Sequence, residues 1–289
     1  MPSSPTVSVI LPVRDGESFL LEAVESIDAQ TLEDYELIIV DDGSTDGTGR
    51  LLDRLSDERI QILRRPREGL VAALTAGVAQ ASASYVARMD ADDVSEPERL
   101  TRQVEVLEQR PRVGMVATWT TVIDEVGHVL RREVLPTAHV DLARRLLLRN
   151  PFHHGSVLLR RSALEEAGGY RPDYGANEDY DLWRRLARSW ELACIPEPLY
   201  RYRVHPAAVT QTDPQRTGQR ERLRNELWRS YKTRSYDVRP TVARANAAEL
   251  DVRRGVVADQ RALAGEALAR RRPVLAAKAL TATLLLSRR

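Results

Sequence analysis

The chain of 289 residues contains one cysteine, Cys194, two lysines and two phenylalanines, and only 5% of its residues are aromatic. A single cysteine excludes an internal disulfide framework and fits a reducing compartment. Sites for single-stranded nucleic acid stack bases on aromatic rings. The scarcity of aromatic residues, together with the acidic character of most of the chain, therefore argues against nucleic acid as a partner.

Long apolar runs are also missing. No stretch reaches the roughly 18 consecutive apolar residues that a membrane span requires. The apolar run Val7–Val13 is too short for a secretory signal, and no basic residue precedes it. We therefore expect a soluble or peripheral protein located in the cytoplasm.

Charge is distributed unevenly along the chain. The formal net charge is +1, but residues 1–215 carry 25 basic against 35 acidic residues, and residues 216–289 carry 18 basic against 7 acidic ones. With 43% hydrophobic and 29% charged residues, a wholly disordered chain is excluded. These numbers predict an acidic body, over residues 1–212, followed by a basic helical extension over residues 213–289.

The first 120 residues alternate short apolar runs with helical periods. Strands are predicted over 7–13, 36–40, 60–63 and 85–89, and helices over 18–30, 45–55 and 70–81, with a further helix opening at Pro97. This alternation favours an α/β fold with a mostly parallel sheet covered by helices on both faces. Residues 121–212 mix predicted strands and helices, including a short strand over 199–204, and we expect them to complete the same sheet.

Three polar clusters follow predicted strands. In an open α/β sheet, ligands collect beyond the carboxyl ends of the strands. The clusters are Pro12-Val13-Arg14-Asp15, Asp41-Asp42-Gly43-Ser44 and Asp90-Ala91-Asp92-Asp93. We expect them to line one crevice.

The cluster at Asp90, Asp92 and Asp93 places three carboxylates within four residues. Such carboxylates repel one another unless water or a cation neutralises them, and hard cations such as Mg²⁺ and Mn²⁺ prefer oxygen ligands. The alternative is an acidic loop that caps the helix opening at Pro97. The position at a strand end favours the metal site.

Two further segments carry candidate chemistry. Asp41 and Asp42 either shape a strand-to-helix turn or bind a nucleobase or ribose. Asp179 lies in the first turn of a predicted helix, where it either complements the helix dipole or acts as a general base. His205 ends a late strand and is a candidate metal or phosphate ligand, whereas His153 and His154 are expected to be structural or on the surface.

Taken together, these segments resemble glycosyltransferase family 2, whose members have the GT-A nucleotide-sugar fold. The resemblance covers about residues 6–210. It is carried by the segments VSVILPVRDGESFLLEAVESIDAQT, YELIIVDDGSTDGT, REGLVAALTAGVAQA, YVARMDADDVSEPERLTRQV, NPFHHGSVLLRRSALEEAGGY, EDYDLWRRLA and PLYRYRVH.

The resemblance implies a role for each matching residue, with residues 1–120 as the nucleotide-binding half and 121–212 as the acceptor half. Asp179 is implied as the catalytic base, with Glu178 beside it. The implied metal ligands are Asp92, Asp90 and His205. Nucleotide contacts are implied for Pro12, Val13 and Arg14 in a first loop, for Asp42 at the base with Asp41 supporting it, and for Asp90. Thr75 departs from the family, which has asparagine at this position.

The implied activity is inverting, metal-dependent transfer of a sugar from a nucleotide-sugar donor, by default a UDP-sugar, to a glycan or glycolipid acceptor of the cell envelope. Mn²⁺ or Mg²⁺ is the expected cofactor. The apolar segment 274–286, flanked by arginines, predicts peripheral contact of residues 256–289 with the inner face of the cytoplasmic membrane, or else a helical cap on the body or a homodimer contact.

Two other functions stay open on the sequence alone. The pattern from Asp90 to Val94 also fits haloacid-dehalogenase-type phosphatases, in which the first aspartate attacks phosphorus. That family usually has the motif on its first strand, whereas three strand–helix units precede it here. The second alternative is a catalytically degenerate nucleotide-binding or membrane-associated scaffold.

Overall fold

A computed structural model describes residues 4–146 and 149–206 of the chain. The predicted extension over 213–289 lies outside the described residues. The strands are β1 Val7–Val13, β2 Tyr35–Asp42, β3 Ile60–Arg65, β4 Tyr85–Arg88, β5 Val94–Ser95, β6 Val113–Ile123, β7 Val129–Glu133, β8 Leu158–Arg160 and β9 Glu191–Arg203. The helices are α1 Leu20–Asp28, α2 Thr48–Leu52, α3 Leu70–Gln80, α4 Arg99–Gln109, α5 His139–Leu146, α6 Arg161–Glu166 and α7 Glu178–Leu186.

The described strands form one nine-stranded mixed sheet in the order β3-β2-β1-β4-β8-β6-β9-β5, with β7 paired to β6. Strands β1 to β4 run parallel, and β8 is antiparallel to both β4 and β6. Strand β9 is parallel to β6. The carboxyl ends of β1, β2, β4 and β9 therefore lie at one edge of the sheet, together with the amino end of β8. The predicted α/β architecture with a mixed sheet is confirmed.

Helices cover both faces of the sheet. Successive residues of β1 point to opposite sides, so that Val9 belongs to one core cluster and Ile10 to the other. The first cluster includes Leu20 of α1 and the second includes Trp183 of α7, both fully buried. Burial of each large apolar side chain contributes roughly 1.5–3 kcal/mol, which makes the sheet a rigid platform for the residues at its edge.

Several boundaries differ from the sequence-based predictions. Helix α4 begins at Arg99, so Pro97 lies before the helix and not in its first turn. Strand β9 is much longer than the predicted segment 199–204, although it contains Pro196 and Pro198. The β6–β9 register shifts near Pro198, and such an irregularity lets a strand accept residues that cannot donate to the ladder.

Two short elements, β5 and α6, were not predicted, since neither is long enough to show a hydrophobic period. No helix within residues 4–146 and 149–206 is long and apolar enough to cross a membrane.

Candidate active site

The first predicted nucleotide segment belongs partly to a strand. Pro12 and Val13 are the last two residues of β1 and are buried, so they do not form the loop that the resemblance implies. The loop starts at Arg14, which is exposed and lies 3.4 Å from the carboxylate of Asp15. Pro12 and Val13 thus lie at the buried end of β1 and Arg14 opens the exposed loop, and the nucleotide contact of all three stays a prediction.

The loop after β1 is bound to the loop after β2. Asp15 has a φ of 52°, a left-handed conformation that aspartate tolerates better than most residues. Its amide donates to Ser44 Oγ at 3.0 Å, and its Oδ1 accepts the amide of Thr45 at 2.7 Å. These reciprocal hydrogen bonds hold two strand-end loops together at the carboxyl edge of the sheet.

Asp41 and Asp42 are the buried last residues of β2. Asp41 Oδ1 accepts the amide of Ser44 at 2.9 Å, so it supports the loop that follows. Asp42 Oδ1 accepts the amide of Glu68 at 2.7 Å, and its Oδ2 accepts that of Gly69 at 2.9 Å. The Asp42 carboxylate is thereby fixed ahead of α3, and its oxygens retain lone pairs for a further donor.

The acidic cluster follows β4, and a buried arginine lies beneath it. Arg88 is 3% exposed, and its Nη2 donates to Asp90 Oδ1 at 2.7 Å. The Asp90 amide donates to the hydroxyl of Tyr200 on β9 at 3.3 Å. Asp90 is therefore held by contacts from both β4 and β9, and its side chain stays 29% exposed at the edge of the sheet.

Asp92 and His205 are in direct contact. His205 Nε2 lies 2.9 Å from Asp92 Oδ2, and the imidazole packs against the ring of Phe19 with centroids 4.9 Å apart. Burial and the charge of Asp90 raise the pKa of Asp92, while His205 opposes this shift. An acid whose ionised form is disfavoured in this way gains most from a nearby cation.

Asp93 has a different environment. It is 1% exposed, its Oδ2 accepts the hydroxyl of Tyr200 at 2.7 Å, and its Oδ1 accepts the amide of Arg203 at 2.7 Å. Burial, followed by the charge of Asp92, raises the pKa of Asp93 well above its ordinary value. Asp93 thus anchors the acidic cluster to β9, and Asp90 and Asp92 are left to face the edge.

The side chains of Asp90, Asp92 and His205 can hold a divalent cation only if a bound ligand supplies further oxygen atoms. Among the residues that the structure describes, no group of three or more His, Cys, Asp or Glu side chains is arranged as a complete metal site. Asp92 and His205 form a pair of donors, and Asp90 is two residues away. Mg²⁺ typically takes one or two carboxylates together with the phosphates of a substrate, which is the arrangement these residues permit.

The second acidic pair begins α7. Glu178 and Asp179 are both buried in the first turn of this helix. Asn150 Nδ2 donates to Asp179 Oδ2 at 2.6 Å, and the orientation of its amide is fixed because its Oδ1 accepts the amide of Phe152 at 3.1 Å. The position of Asp179 is therefore set by both its helix and the segment that precedes β8.

Sequence reasoning missed several residues of this site. His154 was expected to be structural or on the surface and was given no place near the acidic pair; its side chain is 9% exposed, and its Nδ1 lies 3.4 Å from Glu178 Oε1. Tyr170, Tyr200, Arg88 and Asn150 were not singled out either. One available signal was Arg88, a charged residue inside the otherwise apolar run 85–89 that precedes the acidic cluster.

Thr75, the departure from the family pattern, lies on an exposed part of α3. Its hydroxyl donates to the carbonyl of Val71 at 2.8 Å, within the same helix. The side chain thus bonds to its own helix.

Comparison with known proteins places this geometry in a family. The sequence model described as Glycosyl transferase family 2 matches residues 8–168. Putative glycosyltransferase EpsE of Bacillus subtilis is 37% identical over 192 residues, which are 64% of this chain and 68% of EpsE. The amylovoran biosynthesis glycosyltransferase AmsE of Erwinia amylovora is 31% identical over 203 residues, which are 69% of this chain and 76% of AmsE.

A solved structure has the same fold. The crystal structure of S. aureus TarS 1–349 in complex with UDP-GlcNAc superposes with a TM-score of 0.62 at 13% identity, and the match covers 95% of this chain and 90% of that one. Sequence and fold thus agree on one assignment. The chain so assigned carries the acidic cluster after β4 and the acidic pair that begins α7. The chain belongs to glycosyltransferase family 2 and has the GT-A fold.

Proposed function

We propose that this glycosyltransferase transfers a sugar, with inversion, from a nucleoside-diphosphate sugar to a hydroxyl of a glycan or glycolipid acceptor. One observation carries the proposal: the Asp92–His205 pair and the Asp179 carboxylate held by Asn150 belong to segments that end or begin at the same edge of the sheet. The pair can hold the cation that stabilises a diphosphate leaving group, and the fixed carboxylate can accept a proton.

The donor is a UDP-sugar in this proposal. Support comes from TarS, a chain of the same fold whose structure was solved in complex with UDP-GlcNAc. The proposed nucleotide contacts are Pro12, Val13, Arg14, Asp41, Asp42 and Asp90. Of these, Asp42 has its side chain oriented before the nucleotide binds, since two backbone amides hold its carboxylate in one orientation.

The cofactor is Mn²⁺ or Mg²⁺, with Asp92, Asp90 and His205 as the residues that would hold it. When bound, such a cation neutralises the negative charge that grows on the diphosphate leaving group. The raised pKa of Asp92 supports this role, because burial and Asp90 disfavour its charge without a cation.

The chain's own residues carry the proton. Asp179 accepts the proton of the acceptor hydroxyl, whose oxygen bonds to the anomeric carbon as the bond from that carbon to the diphosphate breaks. A single displacement of this kind inverts the anomeric configuration. Asn150 keeps Asp179 Oδ2 in place. A base held in the correct position reacts faster, because a misplaced reacting group lowers the rate.

The acceptor belongs to cell-envelope polysaccharide or glycolipid in this proposal, and residues 1–212 form the catalytic domain. Support comes from the relative AmsE, which is named for the biosynthesis of the polysaccharide amylovoran. Residues 256–289, which lie outside the described residues, are proposed to contact anionic lipid from the cytoplasmic side. Their arginines at 270–272 and 288–289 flank an apolar segment.

A thermal-shift panel tests the donor and the metal together. The chain is heated with UDP-, dTDP- and GDP-sugars, each with and without Mn²⁺, because a ligand that binds only the native state raises the melting temperature. We expect the largest shift with a UDP-sugar in the presence of Mn²⁺, and release of UDP from that donor on incubation.

Each alternative function predicts a different result. Binding of the nucleotide-sugar with no UDP release, even with an acceptor extract present, would favour the degenerate scaffold. Release of phosphate from simple esters without any nucleotide-sugar would favour the phosphatase. Either result would overturn the proposed transfer.

A further inference from the structure

A row of three side chains, of which Tyr170 is partly buried, leads to the acidic pair of α7. The hydroxyl of Tyr170 lies 2.8 Å from His154 Nε2, and His154 Nδ1 lies 3.4 Å from Glu178 Oε1. The side chains of His154 and Glu178 are 9% and 6% exposed. Both ring nitrogens of His154 thus face a polar partner in a region closed to water.

With Glu178 ionised, hydrogen-bond chemistry allows one orientation of this row. An ionised carboxylate only accepts hydrogen bonds, so the nitrogen that faces Glu178 must carry the proton of a neutral imidazole. The other nitrogen, Nε2, is then an acceptor, and Tyr170 must donate its hydroxyl proton to it. The reverse tautomer would point the Nδ1 lone pair at the Glu178 carboxylate.

The surroundings keep His154 and Tyr170 in these protonation states. Burial, followed by the charge of Arg88, lowers the pKa of His154 to about 4, so the ring is neutral near pH 7. Burial raises the pKa of Tyr170, so its hydroxyl stays protonated. The charge of Arg88 also interacts favourably with Glu178.

The ring of His154 has little room to turn. It meets the indole of Trp183 edge-on, with centroids 5.7 Å apart and planes at 83°, a favoured aromatic geometry. The next residue, Gly155, lies beside Asp90, since a Cβ at Gly155 would be 2.7 Å from Asp90 Oδ2. The segment 154–155 therefore contacts both the acidic cluster after β4 and the acidic pair of α7.

We propose that His154 is a positioning residue that fixes the Glu178 carboxylate as a hydrogen-bond acceptor for a hydroxyl of the transferred sugar. The inference rests on the proposed function and assigns the part of Glu178 in it. His154 touches no substrate and acts through Glu178. Tyr170 sets the tautomer that makes this possible.

Two substitutions of His154 distinguish the roles of its two ring nitrogens. The side-chain amide of asparagine can replace Nδ1, and that of glutamine can replace Nε2. His154→Asn thus keeps a donor toward Glu178 and loses Tyr170, whereas His154→Gln keeps Tyr170 and loses the donor toward Glu178. The assay measures UDP release from UDP-GlcNAc with Mn²⁺ by the full chain.

We expect kcat of His154→Asn to stay within about threefold of wild type and kcat of His154→Gln to fall roughly 100-fold, the scale of loss for a misplaced reacting group. KM for UDP-GlcNAc should change little, since the substitutions leave the proposed nucleotide contacts after β1, β2 and β4 in place. The matched control is His153→Gln, one residue earlier, whose ring packs on Tyr202 and pairs with Glu133. Its kcat should equal that of wild type.

A purely structural role would give another pattern. Equal losses in both His154 variants, or losses of kcat that follow the melting temperatures, would overturn the proposal. Nitrogen NMR of the imidazole provides a readout that needs no turnover: we expect the Nδ1–H tautomer in wild type and its loss in Tyr170→Phe. An Nε2–H tautomer in wild type would overturn the positioning role. A wild-type chain that releases no UDP but shows the Nδ1–H tautomer would count against the proposed function alone.

Discussion

His205 Nε2 lies 2.9 Å from Asp92 Oδ2, although 113 residues separate the two in sequence. Strand β9 makes this contact possible, because it runs parallel to β6 and ends at the same edge as β4. Arg203 strengthens the junction, since its guanidinium Nε donates to the carbonyl of Asp92 at 2.8 Å. The proposed cation site is therefore formed by two distant segments that the sheet brings together.

Substitution of His205 by alanine should weaken cation-dependent nucleotide binding. The variant loses one of the two proposed metal ligands that contact each other. Asp92 also loses the histidine that opposes the rise in its pKa. We expect the shift in melting temperature caused by UDP with Mn²⁺ to shrink by at least half, while the shift caused by UDP alone is unchanged. His128→Ala is the control, since that histidine is 81% exposed on the β6–β7 turn. A full Mn²⁺ response in His205→Ala would remove His205 from the proposed site.

Substitution of Asp179 by asparagine should abolish transfer without unfolding the chain. Asparagine has the same shape but cannot take a proton, and its amide N–H would face one of the two donors to the carboxylate, Asn150 Nδ2 or the Tyr180 amide. A positioned base contributes roughly 10²–10⁴-fold, so we expect a loss of that order in acceptor-dependent UDP release, together with a lower melting temperature for a chain that still folds. The matched control is Asp173→Asn, an exposed position in the turn before α7. Wild-type turnover by Asp179→Asn would exclude Asp179 as the base.

Substitution of Asp42 by asparagine should lower both stability and UDP affinity. The carboxylate accepts the amides of Glu68 and Gly69, and an asparagine in the same place would turn its own N–H groups toward one of these donors. We expect a loss of about 1–2 kcal/mol in the free energy of unfolding. Denaturant unfolding measures the first effect and calorimetric titration with UDP the second. Asp53→Asn, whose carboxylate is 66% exposed, should change neither quantity.

Gly155 should not tolerate a side chain. A Cβ there would collide with the hydroxyl of Tyr200 and approach Asp90 Oδ2 to 2.7 Å. Overpacking of this kind costs roughly 1–3 kcal/mol, and displacement of Tyr200 also removes a donor from Asp93. Gly155→Ala should therefore melt at a lower temperature and lose UDP release. Gly49→Ala serves as the control because open space surrounds that position, so a similar penalty there would show that the effect is not steric.

The stability of the chain should depend on pH through His154. Its pKa is about 4 in the folded state because of burial and Arg88, against an ordinary value of 6.5. Below pH 6.5 the unfolded chain binds a proton there that the folded chain does not, so stability falls until about pH 4, by up to about 1.4 kcal/mol per pH unit. The measured quantity is the difference in unfolding free energy between wild type and His154→Asn, from pH 8 to 4. A difference that stays constant over this range would contradict the shifted pKa.

The local features of the fold were predictable from the sequence. Continuous apolar runs gave β1 and β2, and the acidic groups at Asp41 and Asp90 marked the ends of strands in the structure as predicted. Strand β9 was underestimated because prolines normally interrupt a strand, and a shift in register accommodates them here. The predicted roles of the site residues stay predictions that the experiments above address.

The sequence by itself determined the order of the elements, the family and the carboxylates available for chemistry, because hydrophobic periodicity and short motifs depend on neighbouring residues. Only the tertiary structure decided which side chains meet. The insertion of β8 between β4 and β6 brings His154 to Glu178, and the parallel pairing of β9 with β6 brings His205 to Asp92. These contacts arise from the pairing of strands far apart in the chain, which local composition does not encode.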